Sequence, residues 1–572
     1  MTIQPEPRAF TGRGPGIATM HINLGSRQGA WTERLAAWQA EALPRRLWAG
    51  DPSLWPAGEK QIKNNLGWLT LPQRSRLLLP AMARAHGELR QQGIEEIVLV
   101  GMGGSSLAAK VVAEAFPPPP GGPHVTVLDT ALPQAAAQTA ARAAGRRTLF
   151  IVASKSGTTL ETMALAAYFQ RAAGPSRGGP WMFHALTDPG SPLTGPRTDY
   201  LFDRIWPSPA DVGGRYAALS PVGLLPAALA GISVEGLLDS GMAMAAAAGS
   251  SVPAPENPAL QLAAALVKMH QGGQNKLTFL LSPGLAPLGW WLEQLLAESL
   301  GKDGRGLIPV VDEPPVPPDR YGRDRCFVHM AGWDGDPHYD LVTELERLGH
   351  PVIRFYVESP AALGGEFFRW EMAVAAAAAA LAVNPFDQPD VEASKRLARR
   401  RLRPPFPLET AGPAPGIAGR AKGTGHALVG TDPARMAAAL ADFLDRADGH
   451  AYVALQAFLP ADPPIIAALA GLRRLIVMRW GLATTAGWGP AYLHSTGQLH
   501  KGGPGIGCFI QLTCDPEPDL PVPGYPFTLG RLVTVQAATD GEVLASLGRP
   551  LLKLHLGPDP AATLRRLTDR LA

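Results

Sequence analysis

Cysteine is scarce in this sequence: Cys326, Cys508 and Cys514 are the only three in a chain of 572 residues. That number excludes a disulfide framework and a zinc knuckle, and it makes a reducing, cytoplasmic location the expectation. An excess of one charge is missing too. Lysine and arginine number 52 against 49 acidic residues, a formal net charge of +3. Neither nucleic acid nor an anionic membrane is therefore expected as a partner, and any anionic ligand must be held by a local site. The start, MTIQPEPRAFTGRGPG, has no apolar core of the kind a signal peptide needs. The greasiest run, Met372–Leu381, is mostly alanine with Glu371 beside it, which predicts a buried helix rather than a membrane span.

What is present is a folded composition, 46% hydrophobic and 18% charged. The length is that of roughly three or four domains. Residues 1–90 read as helical, with Leu, Trp and Ala at helical spacing over Trp31–Leu43 and Leu77–Gln91. Then short apolar runs at Ile97–Val100, Val125–Leu128 and Leu149–Ala153 alternate with helical patterns at Leu107–Phe116 and Ala131–Ala144. Strand, loop and helix repeated in this way predict a parallel sheet flanked by helices, here over 91–258. A second such unit spans 259–403, with strands at Leu277–Leu281, Leu307–Val311, Cys326–Met330 and Val352–Val357 and helices at Leu288–Leu300, Asp340–Leu348 and Leu363–Val383. The stretch Pro404–Gly419 reads as a linker, and 404–572 as a third α/β unit with strands at Ala427–Val429, Ala451–Leu455 and Leu475–Trp480. The fold class expected is α/β, two parallel-sheet units plus a third at the C-terminus.

Two strand-to-helix loops carry the chemistry an anion needs. Gly103 and Gly104 allow backbone N–H groups to approach closely, and Ser105 and Ser106 add hydroxyls at a helix N-terminus, where the dipole favours negative charge. Ser154, Ser156, Thr158 and Thr159 place four hydroxyls at a second such terminus, with Lys155 among them. Serine and threonine before a helix are ordinarily caps, but four hydroxyls in six residues exceed what capping needs. The first loop lacks the third glycine of a dinucleotide fingerprint, and it lacks the G-K-[ST] of a Walker loop.

VLVGMGGSSLAAK and SKSGTTLET resemble the phosphate loops of sugar isomerase domains, which also occur in regulators and in the isomerase half of glucosamine-6-phosphate synthase. Three further segments narrow the resemblance to the phosphoglucose isomerase family: VGGRYAALS (Val212–Ser220), AESLGK (Ala297–Lys302) and NPFDQPDVEASK (Asn384–Lys395). The sequence most resembles the isomerase half of bifunctional transaldolase/phosphoglucose isomerases, through segments such as LSPVGLLPAALAGI and HSTGQLHKGGP, with no transaldolase half expected. The resemblance implies an enzyme interconverting glucose 6-phosphate and fructose 6-phosphate without metal or cofactor. It makes Glu298 the base that moves a proton between C2 and C1 through a cis-enediol(ate). It makes Arg215 the stabiliser of that intermediate and Lys395 a participant in ring opening. Gln388 joins Gly104, Ser105, Ser154, Lys155, Ser156, Thr158 and Thr159 in holding the phosphate. A partly desolvated carboxylate suits removal of a weakly acidic C–H proton, and a guanidinium that stays charged suits the oxyanion. The residues alone leave Glu293, read as a solvated helix residue, and Glu298 both open, and Lys395 opens a basic run. In both cases the resemblance makes the choice.

One departure is informative. The family places a Gly-Gln-His motif between its catalytic glutamate and lysine, and this chain has none there. Gly497-Gln498-Leu499-His500 lies beyond Lys395 instead. The expectation is that the third unit supplies the ring-opening imidazole, His500 first and His494 second. The family is commonly dimeric because two chains complete each site; a histidine supplied within the chain removes that need, so both homodimer and monomer stay open. The alternatives are another phosphosugar isomerase, including a dual glucose/mannose 6-phosphate enzyme, and a sugar-phosphate-binding regulator, which needs the cradle but not the base.

Overall fold

The computed structural model describes residues 16–174, 179–195, 200–403, 425–429 (backbone only), 432–515 and 517–572. The first fifteen residues and the expected linker Pro404–Gly419 lie outside the described residues. The first strand, β1 (Thr19–Asn23), precedes the N-terminal helices, among them Gln28–Ala40 and Leu79–Gln91. The first sheet contains β2 (Glu96–Gly101), β3 (His124–Leu128), β4 (Thr148–Ala153), β5 (Trp181–Thr187) and β6 (Arg204–Pro207), all parallel, in the order β3-β2-β4-β5-β6. Every residue of β2 and β4 is buried, which is why both read in the sequence as continuous apolar runs.

The second sheet is built from β7 (Lys276–Leu281), β8 (Ile308–Val310), β9 (Arg325–Ala331) and β10 (Val352–Tyr356), with β1 added antiparallel at its edge, in the order β1-β10-β9-β7-β8. The reading of the first 90 residues as helical thus missed a strand, one that serves a sheet some 250 residues away. The third sheet holds β11 (Gly425–Val429), β12 (Tyr452–Phe458), β13 (Ala483–Trp488), β14 (Gly507–Thr513) and β15 (Leu551–His555), all parallel, in the order β11-β15-β14-β12-β13. In the first sheet the chain starts on the inner strand β2, and in the second the parallel strands start on the inner strand β7; each later crosses back past its start, so a crevice opens at the carboxyl ends beside the crossover.

Leu475–Trp480, expected as a strand, is the end of a helix, Pro463–Trp480. Ile465, Ala468, Leu469, Leu472 and Ile476 are buried at helical spacing, and the helix stops at Gly481 (φ +68°), whose N–H bonds the Val477 carbonyl. Met372–Leu381 falls almost wholly within the buried helix Leu363–Ala380, as expected. Among the described residues, no helix is long and apolar enough to cross a membrane.

The N-terminal helices and the first two units share one hydrophobic core running from Ala18 to Phe386. The third unit has its own core around Val453, Leu472 and Ile510. It is joined to the first unit through a cluster containing Val100, Tyr492 and Leu532, and to the second through one containing Ala297, Ile308 and Leu499. The second of these contacts is backed by a buried polar set. Arg325 pairs with Glu313 at 2.6 Å, and Glu313 also accepts from the backbone N–H of Thr484 in β13 at 2.6 Å.

Candidate active site

The loop after β2 turns at Gly103 (φ +52°) and Gly104. Gly104 is where another backbone comes closest. A Cβ there would run into the carbonyl carbon of Gly214 and lie 2.8 Å from the amide nitrogen of Arg215. Glycine at this position lets the Arg215 segment pack directly on the loop. Gly104→Ala is expected to cost about 1–3 kcal/mol through overpacking and to lower turnover by displacing Arg215. Thermal unfolding together with a turnover assay checks it; a variant as stable and as active as the parent rules out the close approach.

In the loop after β4, Thr159 occupies the N-cap of helix Leu160–Ala173 but makes no side-chain cap bond. The hydroxyls pair with one another: Ser154 Oγ donates to Thr159 Oγ1 at 3.2 Å, and Ser156 and Thr158 bond at 2.9 Å. Ser106, at the corresponding place before helix Leu107–Ala115, caps nothing either. Ordinary capping therefore does not account for these hydroxyls. Ser105 lies half-buried beside Ser106. Lys155 is directed elsewhere: its ammonium pairs with Asp188 at 2.7 Å and donates to the Pro209 carbonyl at 2.8 Å, so its charge is already neutralised.

Helix Ala286–Leu300 brings Glu298 to the junction of the units, buried at 8% exposure. Its Oε2 lies 3.3 Å from Arg215 Nη1 and accepts from Gln294 Nε2 at 3.1 Å. Arg215, in the short turn Gly214–Tyr216, is 4% exposed. It donates to Ser299 Oγ (2.9 Å), Gln388 Oε1 (3.1 Å) and the carbonyls of Asp387 (2.9 Å) and Pro385. A buried guanidinium held by this many acceptors is fixed in place before any substrate arrives. Lys302 adds a second buried cation, 3.0 Å from Asp387, and burial followed by the nearby Arg215 charge brings its ammonium down to about 8. Glu293 is not solvated but half-buried, facing Asp312 of its own unit and Arg473 of the third.

The third unit closes the arrangement. The turn Ala491–His494, after β13, lays the His494 carbonyl over the first loop, 2.5 Å from where a Cβ of Gly103 would stand. That carbonyl accepts from Gln294 Nε2 at 2.8 Å, so one amide touches both Glu298 and the His494 backbone. The His494 ring reaches Glu161, in the first turn of the helix after the second loop, with Nε2 at 2.8 Å from Oε1. Burial alone raises the Glu161 carboxyl, but the facing His494 and the donated hydrogen bonds outweigh it and hold it at about 2. A carboxylate accepts, so Nε2 carries a proton, and in the neutral ring the lone pair lies on Nδ1.

His500, the first choice from the sequence, is corrected. It is buried inside the third unit between the rings of Tyr492 and Phe509, with Nδ1 3.2 Å from Gln456. Burial, then the neighbouring Lys501, pushes it down to about 3. Lys395 lies on helix Val391–Arg401, paired with Glu392 of its own helix at 2.8 Å. The start of that helix is tied to the site through Gln498, which accepts from the Asp390 amide at 3.0 Å and donates to the Gly301 carbonyl at 3.1 Å. Sequence reasoning gave no role to Glu161, Gln294 or Gln498. Glu161 stands within SKSGTTLET, and Gln294 one turn before Glu298, which is the only signal either offers.

The phosphoglucose isomerase family profile matches residues 85–306. The chain is 30% identical over 415 residues to the glucose-6-phosphate isomerase of Rubrobacter xylanophilus, covering 63% of this chain and 94% of that protein. It is 30% identical over 387 residues to that of Symbiobacterium thermophilum, covering 58% and 85% respectively. Among solved structures, a hypothetical protein from Thermus thermophilus superposes with a TM-score of 0.55 at 26% identity, over 67% of this chain and 100% of its own. A glucose-6-phosphate isomerase from Chlamydia trachomatis superposes with a TM-score of 0.51 at 19% identity, over 68% of this chain and 88% of its own, a likeness of fold. Parallel sheets flanked by helices, with hydroxyl-lined loops at their carboxyl ends, make this a protein of the sugar-isomerase type. More narrowly, the chain belongs to the phosphoglucose isomerase family.

Proposed function

We propose that this chain is an aldose–ketose isomerase that interconverts glucose 6-phosphate and fructose 6-phosphate. The observation that carries the reading is the buried Glu298–Arg215 pair at 3.3 Å, set beside two loops whose hydroxyls are free of capping duty. A regulator that only bound the sugar phosphate needs the loops but has no use for a buried carboxylate against a fixed guanidinium.

In this reading Gly104, Ser105, Ser154, Ser156, Thr158, Thr159 and Gln388 take the phosphate. His494 Nδ1 removes the proton of the anomeric hydroxyl while the C1–O5 bond breaks, and Lys395 gives a proton to O5. Glu298 then takes the proton from C2 and returns it to C1 while the O2 hydroxyl proton passes to O1, and Arg215 faces the charge of the cis-enediol(ate) between the two steps. Closure of the ketose ring runs the first step backwards, with O5 returning its proton to Lys395 and the imidazolium its proton to O2.

The full chain, supplied with fructose 6-phosphate in deuterated water, is expected to produce glucose 6-phosphate with deuterium at C2, read by a coupled dehydrogenase and by NMR. Binding of fructose 6-phosphate without conversion supports the regulator. Mannose 6-phosphate as a second product extends the reading to both C2 epimers.

A further inference from the structure

The third unit contributes more than His494. Helix Leu529–Ser546 crosses behind the His494–Glu161 pair with most of its residues buried. From this helix Gln536, 7% exposed, donates its Nε2 hydrogen to Glu161 Oε1, the same oxygen that faces His494. One turn further, Asp540 accepts from the Tyr492 hydroxyl at 2.7 Å and pairs with Lys501 at 2.5 Å. Tyr492 lies two residues before His494 in the same short turn. A single helix face thus holds the carboxylate through Gln536 and the turn that carries the imidazole through Asp540.

Gln536 is not an ordinary satisfied amide. Its Oε1 is buried with no hydrogen-bond partner among the described residues, while its N–H is directed at a carboxylate. Buried amides normally satisfy both ends, so the arrangement favours the donor at the expense of the acceptor. A carboxylate accepting from the imidazole alone remains free to rotate; a second donor on the same oxygen fixes its plane, and with it the ring of His494.

We infer that Gln536 is a positioning residue for ring opening, fixing Glu161 so that His494 keeps Nε2–H toward the carboxylate and Nδ1 toward the sugar. The inference rests on the reading of His494 as the ring-opening group. Gln536→Leu removes the donor at similar size. Its expected effect is a fall of about tenfold in anomer interconversion of the substrate, measured by exchange NMR, the magnitude typical of outer partners that orient a functional side chain. kcat on the cyclic sugar should fall with KM unchanged. An analogue blocked at O4 and O5, and so held open, should isomerise within about twofold of the parent rate. The ¹⁵N signals of His494, assigned by their loss in His494→Ala, should change from a single Nε2-protonated tautomer to a mixture. If Gln536→Leu fails to fold, Gln536→Glu keeps the shape and sets a second carboxyl against Glu161, and the same selective loss on the cyclic sugar is expected. Should His494→Ala leave ring opening intact, the underlying reading falls. Should His494→Ala abolish ring opening while the foldable Gln536 variant leaves both anomer exchange and the tautomer untouched, this inference alone is overturned.

Discussion

Glu298→Gln is expected to lower kcat for fructose 6-phosphate by about 10³-fold, within the range a positioned general base supplies, with KM changed by only a few-fold. Glutamine keeps the size of the side chain and an oxygen to accept from Gln294 Nε2, which lies 3.1 Å from Glu298 Oε2. It removes only the basic carboxylate and the charge facing Arg215. Arg215 retains Ser299, Gln388 and the carbonyls of Pro385 and Asp387, so the substrate's anionic groups still find their partner and the fold tolerates the change. Deuterium exchange into C2 should disappear in parallel with turnover, whereas anomer interconversion should persist. Retention of more than about a tenth of the parent rate would remove Glu298 from the mechanism.

His494→Ala is the second large effect, and it has two separable parts. Ring opening should slow by about 10²-fold or more, while an open-chain analogue turns over near the parent rate, since Glu298 and Arg215 remain paired. The second part concerns stability. In the parent, His494 and the donated hydrogen bonds hold the Glu161 carboxyl at about 2, below its ordinary value, so its ionised form stabilises the fold above the ordinary carboxylate range. That contribution is lost as pH falls toward 2. Without the imidazole, burial is opposed only by the backbone N–H of Glu161 and then by Gln536, and the carboxyl moves upward. The deficit in Tm relative to the parent should therefore be largest near pH 8 and shrink as the solution is acidified toward pH 5 and Glu161 takes up its proton. A deficit independent of pH would mean that the imidazole and the carboxylate are not coupled. Equal slowing of cyclic and open-chain substrates would deny His494 its place in ring opening.

Much of the frame was legible because buried parallel strands leave plain traces. Every residue of β2 and β4 is buried, and each strand runs into a loop of glycines and hydroxyls that has no other pattern to follow. Arg215, Glu298 and Gln388, more than 170 residues apart at the extremes, were chosen through family resemblance, and Arg215 touches both of the others. What stayed hidden depends on tertiary packing. β1 sits in a helical neighbourhood, and only its pairing with β10 makes it a strand. β13, ATTAGW, is too rich in small residues to stand out, whereas the apolar stretch before it belongs to a helix. His494 and His500 are six residues apart in short elements with no period to read. Which of them is sealed off is decided by Tyr492 and Phe509, from the turn and from β14. Glu161 passed for an ordinary acidic residue in the first turn of a helix, where the dipole favours one.

The turn Ala491–His494 resting on Gly103 has a further consequence. An imidazole borrowed from a neighbouring molecule is present only while that neighbour stays bound, so its occupancy follows a dissociation constant and falls on dilution. Here the ring and the loop it covers belong to one covalent chain, and the encounter between them is intramolecular. The effective molarity of His494 at its station is an architectural constant. In kinetic language, the step proposed for it is zeroth order in any second copy.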